Sequence, residues 1–141
     1  MLFGTFFNQI DAKGRVRIPS RIKAALGKDS MITRGTSGCL FLWSQKNFQD
    51  LADKADAVPL ADISAANPVR VLFSSAQELE EDDQGRTMIP RALRQIAKLD
   101  KDIVFMGAGK RAEIWPRELF DKTFATVDFD KEIAKLKEYG V

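Results

Sequence analysis

The chain has 141 residues, 45% of them hydrophobic and 30% charged, which is room for one ordinary domain or two very small ones and excludes a disordered polymer. No apolar run approaches the roughly 18 residues of a membrane span, Asp11 interrupts the N-terminus before a signal-peptide core can develop, and the single cysteine, Cys39, excludes an internal disulfide framework, so a soluble cytoplasmic protein is expected. The net charge of +2 is unevenly spread: residues 1–51 carry eight Lys/Arg against three Asp/Glu, and the other 90 carry fourteen against seventeen.

In chain order, Phe3 to Ile10 reads as an aromatic-rich strand and Arg15 to Ile18 as a second, with the turn Asp11-Ala12-Lys13-Gly14 between them. Alternation puts Phe3 and Phe7 on one face and Phe6 on the other, so at least one face needs cover from another element or subunit. Pro19 starts a short helix with Ile22, Ala25 and Leu26 on one face, and Gly27 ends it. Met31 to Arg34 and Cys39 to Trp43 form a hairpin, and Ser44 is placed to cap a helix burying Phe48 and Leu51.

The same order then returns. Asp11 to Pro19 and Asp82 to Pro90 agree at five of nine positions at an offset of 71, and the agreement continues along the diagonal. Ile22 and Lys23 meet Leu93 and Arg94; after one extra residue, Leu42-Trp43 meets Ile114-Trp115 and Phe48 meets Phe120. Pro116 opens the helix matching the one after Trp43. Each unit is therefore β-β-α-β-β followed by a helix, an α+β fold. A unit of about 50 residues buries too little surface to be secure alone, so the two should share one core about a pseudo-twofold axis. The expected division is 5–47 for the first unit, 48–75 for a helical connection in which Asp62 caps a helix, 76–119 for the second unit and 120–141 for a helical tail. Phe129, Ile133 and Leu136 recur at helical spacing in that tail and should pack one face on something. Exposed hairpin edges make oligomers expected.

The repeated Asp-x-x-Gly-Arg turn is the strongest functional candidate. A glycine turn presenting an arginine beside a strand suits contact with phosphate or a guanine edge. In the first copy Lys13, Gly14, Arg15 and Arg17 carry the candidate site, with Arg21 and Lys23 close by; in the second it is Gln84, Gly85 and Arg86. The other reading is structural: Asp11 pairs with Arg15 and Asp82 with Arg86, each fixing its turn. For the aspartates the structural role is favoured, because a carboxylate near DNA phosphates is unfavourable unless paired. The acidic run Glu78 to Asp83 makes the second copy the weaker basic site, so the first should supply most of the electrostatic affinity. Trp43 and Trp115 end apolar strands and read as core or interface anchors, Cys39 as a small buried residue.

No enzyme is expected. Histidine is absent, which removes the commonest general base and the usual zinc sites, and no P-loop, GxGxxG element or acid–base carboxylate pair is present. No cofactor, metal or small-molecule substrate is implied. The alternative to a DNA reader is a protein-binding module that modulates a partner.

These motifs resemble the MraZ family of bacterial regulators. The resemblance rests on Gly4-Thr5-Phe6, Asp11-Ala12-Lys13-Gly14-Arg15 with Ile18-Pro19, and Thr33-Arg34-Gly35 with Cys39-Leu40. In the second unit it rests on Phe73-Ser74-Ser75-Ala76, Asp82 with Gly85-Arg86 and Ile89-Pro90, and Glu113-Ile114-Trp115. It runs from Met1 to about Phe124. It implies two tandem AbrB-like, swapped-hairpin units and a cytoplasmic, nucleoid-associated, sequence-specific DNA-binding transcription regulator. Such a regulator binds short direct repeats in the promoter of its own division and cell-wall operon, as a ring of subunits. The family's Asp-x-x-x-Arg motif falls on Asp11/Arg15 and Asp82/Arg86, in loops that line the DNA-facing surface.

Overall fold

The two Ile-Pro dipeptides open matching helices, because proline's fixed φ suits a helix start and its missing N–H is not needed there. In the computed structural model, which describes residues 1–141, the elements are β1 (Thr5–Gln9), β2 (Arg15–Val16), α1 (Ser20–Leu26), β3 (Met31–Arg34), β4 (Leu40–Trp43), α2 (Gln45–Asp56), α3 (Ile63–Ser75), β5 (Gln77–Glu78), β6 (Glu80–Glu81), β7 (Thr87–Met88), α4 (Arg91–Ile96), β8 (Asp102–Gly107), β9 (Arg111–Pro116), α5 (Arg117–Phe124) and α6 (Phe129–Ala134), then a 3-10 turn at Lys137–Tyr139. Pro19, Pro90 and Pro116 precede α1, α4 and α5. Ser44 caps α2, its Oγ accepting the Asn47 N–H at 3.1 Å, and Phe48 and Leu51 are half-buried beneath it. No helix is long and apolar enough to cross a membrane.

The strands build two antiparallel sheets, and both mix the repeats. The larger runs β1-β8-β9-β4-β3-β5, the smaller β2-β7-β6. The first strand of each repeat thus pairs with the hairpin of the other: β1 lies on β8, and β5 on β3. The seams are self-matching. Where β4 meets β9, Leu40 faces Ile114 and Leu42 faces Ala112, with the equivalent residues Phe41 and Glu113 directly opposed. Where β2 meets β7, the equivalent residues Val16 and Thr87 are partners. This is the register of a pseudo-twofold axis. One cluster of buried apolar residues, including Val16, Ile22, Ile32, Ile89, Phe105 and Ile114, draws on both repeats, so neither has a core of its own.

Several expectations are corrected in detail. The strand expected over Phe3 to Ile10 is shorter, and the second copy's equivalent breaks at Leu79 into β5 and β6, because its run of glutamates has no apolar face to bury. Arg17 and Ile18 lie beyond β2. Ala25 is exposed; in so short a helix only the i, i+4 edge of Ile22 and Leu26 reaches the core. The helix from Asp62 runs thirteen residues through Pro68 to Ser75, and the Asp62 carboxylate accepts from the Ser64 hydroxyl rather than from a helix N–H. The tail does coil, but Phe129, Ile133 and Leu136 stay exposed, so their face is not covered within the chain.

On the outer face of the large sheet Trp115 is buried and Trp43 half-buried. Trp43 Nε1 donates to Thr33 Oγ1 at 3.1 Å, and Trp115 Nε1 to Glu113 Oε1 at 3.2 Å. Glu113, itself buried, holds Arg111 at 3.0 Å. Each ring has its polar edge satisfied and its body packed, the pattern of an anchor. Cys39 is buried beside them. Burial first, and then the nearby Glu113 carboxylate, push its thiol up to about 12, so it stays protonated and packs as an apolar group.

Candidate nucleic-acid interface

The site is built twice from one local device. Asp11 accepts the N–H groups of Lys13 and Arg15 on Oδ1, both at 2.9 Å, and the Arg15 Nε on Oδ2 at 2.8 Å. Asp82 does the same for Gln84 and Arg86, with all three bonds at 2.9 Å. The backbone closes each loop: Arg15 O accepts from Asp11 N–H and Asp11 O from Gly14 N–H, both at 3.0 Å; the second-loop equivalents are 2.8 and 3.1 Å. Gly14 and Gly85 take φ of 86° and 76°, a region other residues enter only under strain. Each aspartate thus ties three donors of its own loop. The arginines do not have to choose between the two readings: Nε is tied to the aspartate, and both Nη groups remain without a partner in the chain. A guanidinium braced through one edge and free on the other is pre-organised for a bidentate acceptor.

The small sheet brings the loops together. Arg15 lies opposite Met88, and the same register continued one step sets Arg17 in line with Arg86. Val16 and Thr87 point inward and are buried, so Arg15, Arg17, Arg86 and Met88 share the outward face. Glu80, opposite Met88, flanks it. Arg17 reaches the second loop, its Nη1 lying 3.5 Å from where a Cβ on Gly85 would stand. Lys13, Arg21 and Gln84 are exposed, whereas Lys23 is occupied by a close pair with Glu81. Sequence patterning does not single out Arg94. Its guanidinium lies against Gly14, and its Nε donates to Ile89 O at 2.9 Å while Ile89 N–H donates to Gly14 O at 2.8 Å. The available signal was its alignment with Lys23.

The loops have a pH signature. The Arg15 N–H, then the Arg15 guanidinium and the Lys13 N–H, hold the Asp11 carboxyl below its ordinary value of 3.8; the Arg86 N–H leads the same effect at Asp82. The folded loops bind fewer protons than the unfolded chain, so their stabilisation is complete above the ordinary carboxylate value and is lost as pH falls through the lowered one. Thermal unfolding followed by circular dichroism should show a midpoint insensitive to these groups near neutrality and falling below about pH 4. Asp11→Asn should lower the neutral midpoint and flatten that fall; an unchanged acid limb in Asp11→Asn would refute the assignment.

Known proteins share this sequence over most of its length. A family model described as "MraZ protein, putative antitoxin-like" matches residues 1–70 and again 72–138. A protein of Carboxydothermus hydrogenoformans named transcriptional regulator MraZ is 42% identical over 121 residues, covering 86% of this chain and 85% of its own. One of Heliobacterium modesticaldum with the same name is 41% identical over 122 residues, covering 86% and 85%. A third, of Clostridium tetani, is 34% identical over 142 residues and covers both chains completely. With its two repeats each matched by the family model, the chain belongs to the MraZ family.

Proposed function

We propose that this chain is a sequence-specific DNA-binding transcription regulator. We infer further that it represses the promoter of its own division and cell-wall operon by seating a ring of subunits on short direct repeats. The observation that carries the reading is the pair of braced arginines on one outward face, each with free Nη groups, beside the exposed cations Lys13 and Arg17. Lys13, Gly14, Arg15, Arg17, Gln84, Gly85 and Arg86 form the DNA-facing surface, with Asp11 and Asp82 shaping it. The relatives' name supports regulation. The exchange of first strands between repeats supports reading 5–47 and 76–119 as AbrB-like, swapped-hairpin units. The protein works in the cytoplasm, on the nucleoid.

Self-association is supported by apolar surface left uncovered: Phe3 and Phe7 are more than half exposed, and Phe129 is 71% exposed. Several loops on one DNA act at high effective concentration, so a modest basic site per subunit suffices, and evenly spaced repeats suit such a reader.

The test is fluorescence anisotropy with the protein's own upstream duplex against a scrambled one, at two salt concentrations. The native duplex should bind tightly and with strong salt sensitivity. Arg15→Ala should weaken it by about ten-fold or more, and Arg86→Ala by less. Equal weak binding to both duplexes would overturn the reading and bring forward a protein-binding module that modulates a partner.

A further inference from the structure

We infer that the two loops divide the work on DNA: Lys13 takes a backbone phosphate, and Gln84 reads a base edge, adenine being the match to its amide. This rests on the DNA-binding reading above. The hydrogen bonds of the two loops agree to within 0.1 Å on the carboxylate, N–H for N–H and Nε for Nε. Positions 13 and 84 are therefore equivalent about the pseudo-twofold. Each spends its N–H on the aspartate Oδ1, and each side chain is exposed without a hydrogen-bond partner in the chain. Whatever differs between them is chemistry and not placement.

The surroundings differ in the same sense as the side chains. Next to Lys13 stands Ala12, whereas next to Gln84 stands Asp83, and Glu80 flanks the second loop where the first has Gln9. Even with Arg17 reaching across to Gly85, the carboxylates Glu80, Asp82 and Asp83 outnumber Arg86 and Arg17, so the second loop's surroundings are net negative, and the first loop is net positive. Phosphate is attracted to the first loop and repelled from the second. An ammonium is a non-directional cation suited to phosphate, and its contact carries no sequence information. A carboxamide gains little from phosphate charge, but it offers a donor and an acceptor side by side, the complement of adenine N7 and N6 in the major groove. Carboxylates beside it hold the loop away from the sugar–phosphate strand without disturbing that match. The pseudo-symmetric scaffold thus presents one positioning arm and one reading arm.

The experiment titrates wild type, Lys13→Ala, Gln84→Ala and Gln84→Lys by anisotropy against the native upstream duplex and a panel of single base-pair variants. Each titration runs across 50–200 mM salt, with thermal melts confirming that these exposed substitutions leave the fold intact. Lys13→Ala is expected to lose affinity by a similar factor on every duplex, with a salt slope shallower by about one. Gln84→Ala is expected to keep the wild-type slope and to abolish one A·T-specific penalty of about five-fold or more. Gln84→Lys should abolish the same A·T-specific penalty, because an ammonium does not match the donor and acceptor of adenine. The division falls if Gln84→Ala leaves every base penalty intact, or if Lys13→Ala relaxes a base preference. A wild-type protein that does not distinguish the native from a scrambled duplex sinks the DNA reading itself, so the two failures are distinguishable.

Discussion

Gly14→Ala is expected to destabilise the protein by about 2–4 kcal/mol, and Gly85→Ala by about half as much, as read from urea unfolding. Both glycines hold a positive φ, which costs a residue with a Cβ about 1–2 kcal/mol. Their surroundings separate them. A Cβ on Gly85 would meet Glu81 Oε1 at 3.4 Å and Arg17 Nη1 at 3.5 Å, ordinary contacts. A Cβ on Gly14 would stand 2.5 Å from both Nε and Cζ of Arg94. The arginine can swing away only by releasing its bond to Ile89 O, which leaves the acceptor of a buried residue short and adds about 1–2 kcal/mol. Arg94→Ala removes the obstacle, so the double variant Gly14→Ala/Arg94→Ala should lose less than the two single losses added together. Strict additivity would show that the packing of Arg94 against Gly14 plays no part.

That coupling also shows where sequence reading ends. The loops themselves were legible, because three of the five identities between Asp11–Pro19 and Asp82–Pro90 are the residues that make them: the aspartate that accepts, the glycine that turns and the arginine that is braced. Helix starts were legible from Pro19, Pro90 and Pro116, each of which sits at a helix boundary. Strand partners were not. Nothing local to Thr5–Gln9 says that its ladder is 97 or so residues away on Asp102–Gly107 rather than in its own repeat, since alternation fixes a strand's faces and leaves its neighbour open. The contact of Arg94 with Gly14 depends on that exchange and was invisible for the same reason. The tail shows the converse: helical spacing at Phe129, Ile133 and Leu136 foretold the coil, but periodicity only says that a face wants cover, and this chain supplies none.

Separating the repeats is expected to abolish the folded monomer of each half, with opposite consequences for the two. Cut between Ser75 and Ala76, the first half keeps one strand ladder, β3 on β4; β1, β2 and the free edge of β4 lose their partners to the second half. The shared core is divided. Two copies of residues 1–75 can nevertheless rebuild the seams, because equivalent residues already face each other: Val16 would meet Val16 where it now meets Thr87, and Phe41 would meet Phe41 where it now meets Glu113. This half should fold only as a dimer, with a melting midpoint that rises with protein concentration. In a dimer of residues 76–141, the Glu113 side chains would be buried directly opposite one another, and although each keeps its own Arg111, two carboxylates so placed repel and replace the apolar Phe41 contact of the intact seam. That half should remain an unfolded monomer in sedimentation and circular dichroism, and Glu113→Phe, which recreates the first half's seam, should let it dimerise. A concentration-independent, cooperative transition in residues 1–75, or a stable dimer of unmodified 76–141, would refute the shared-core account of the fold.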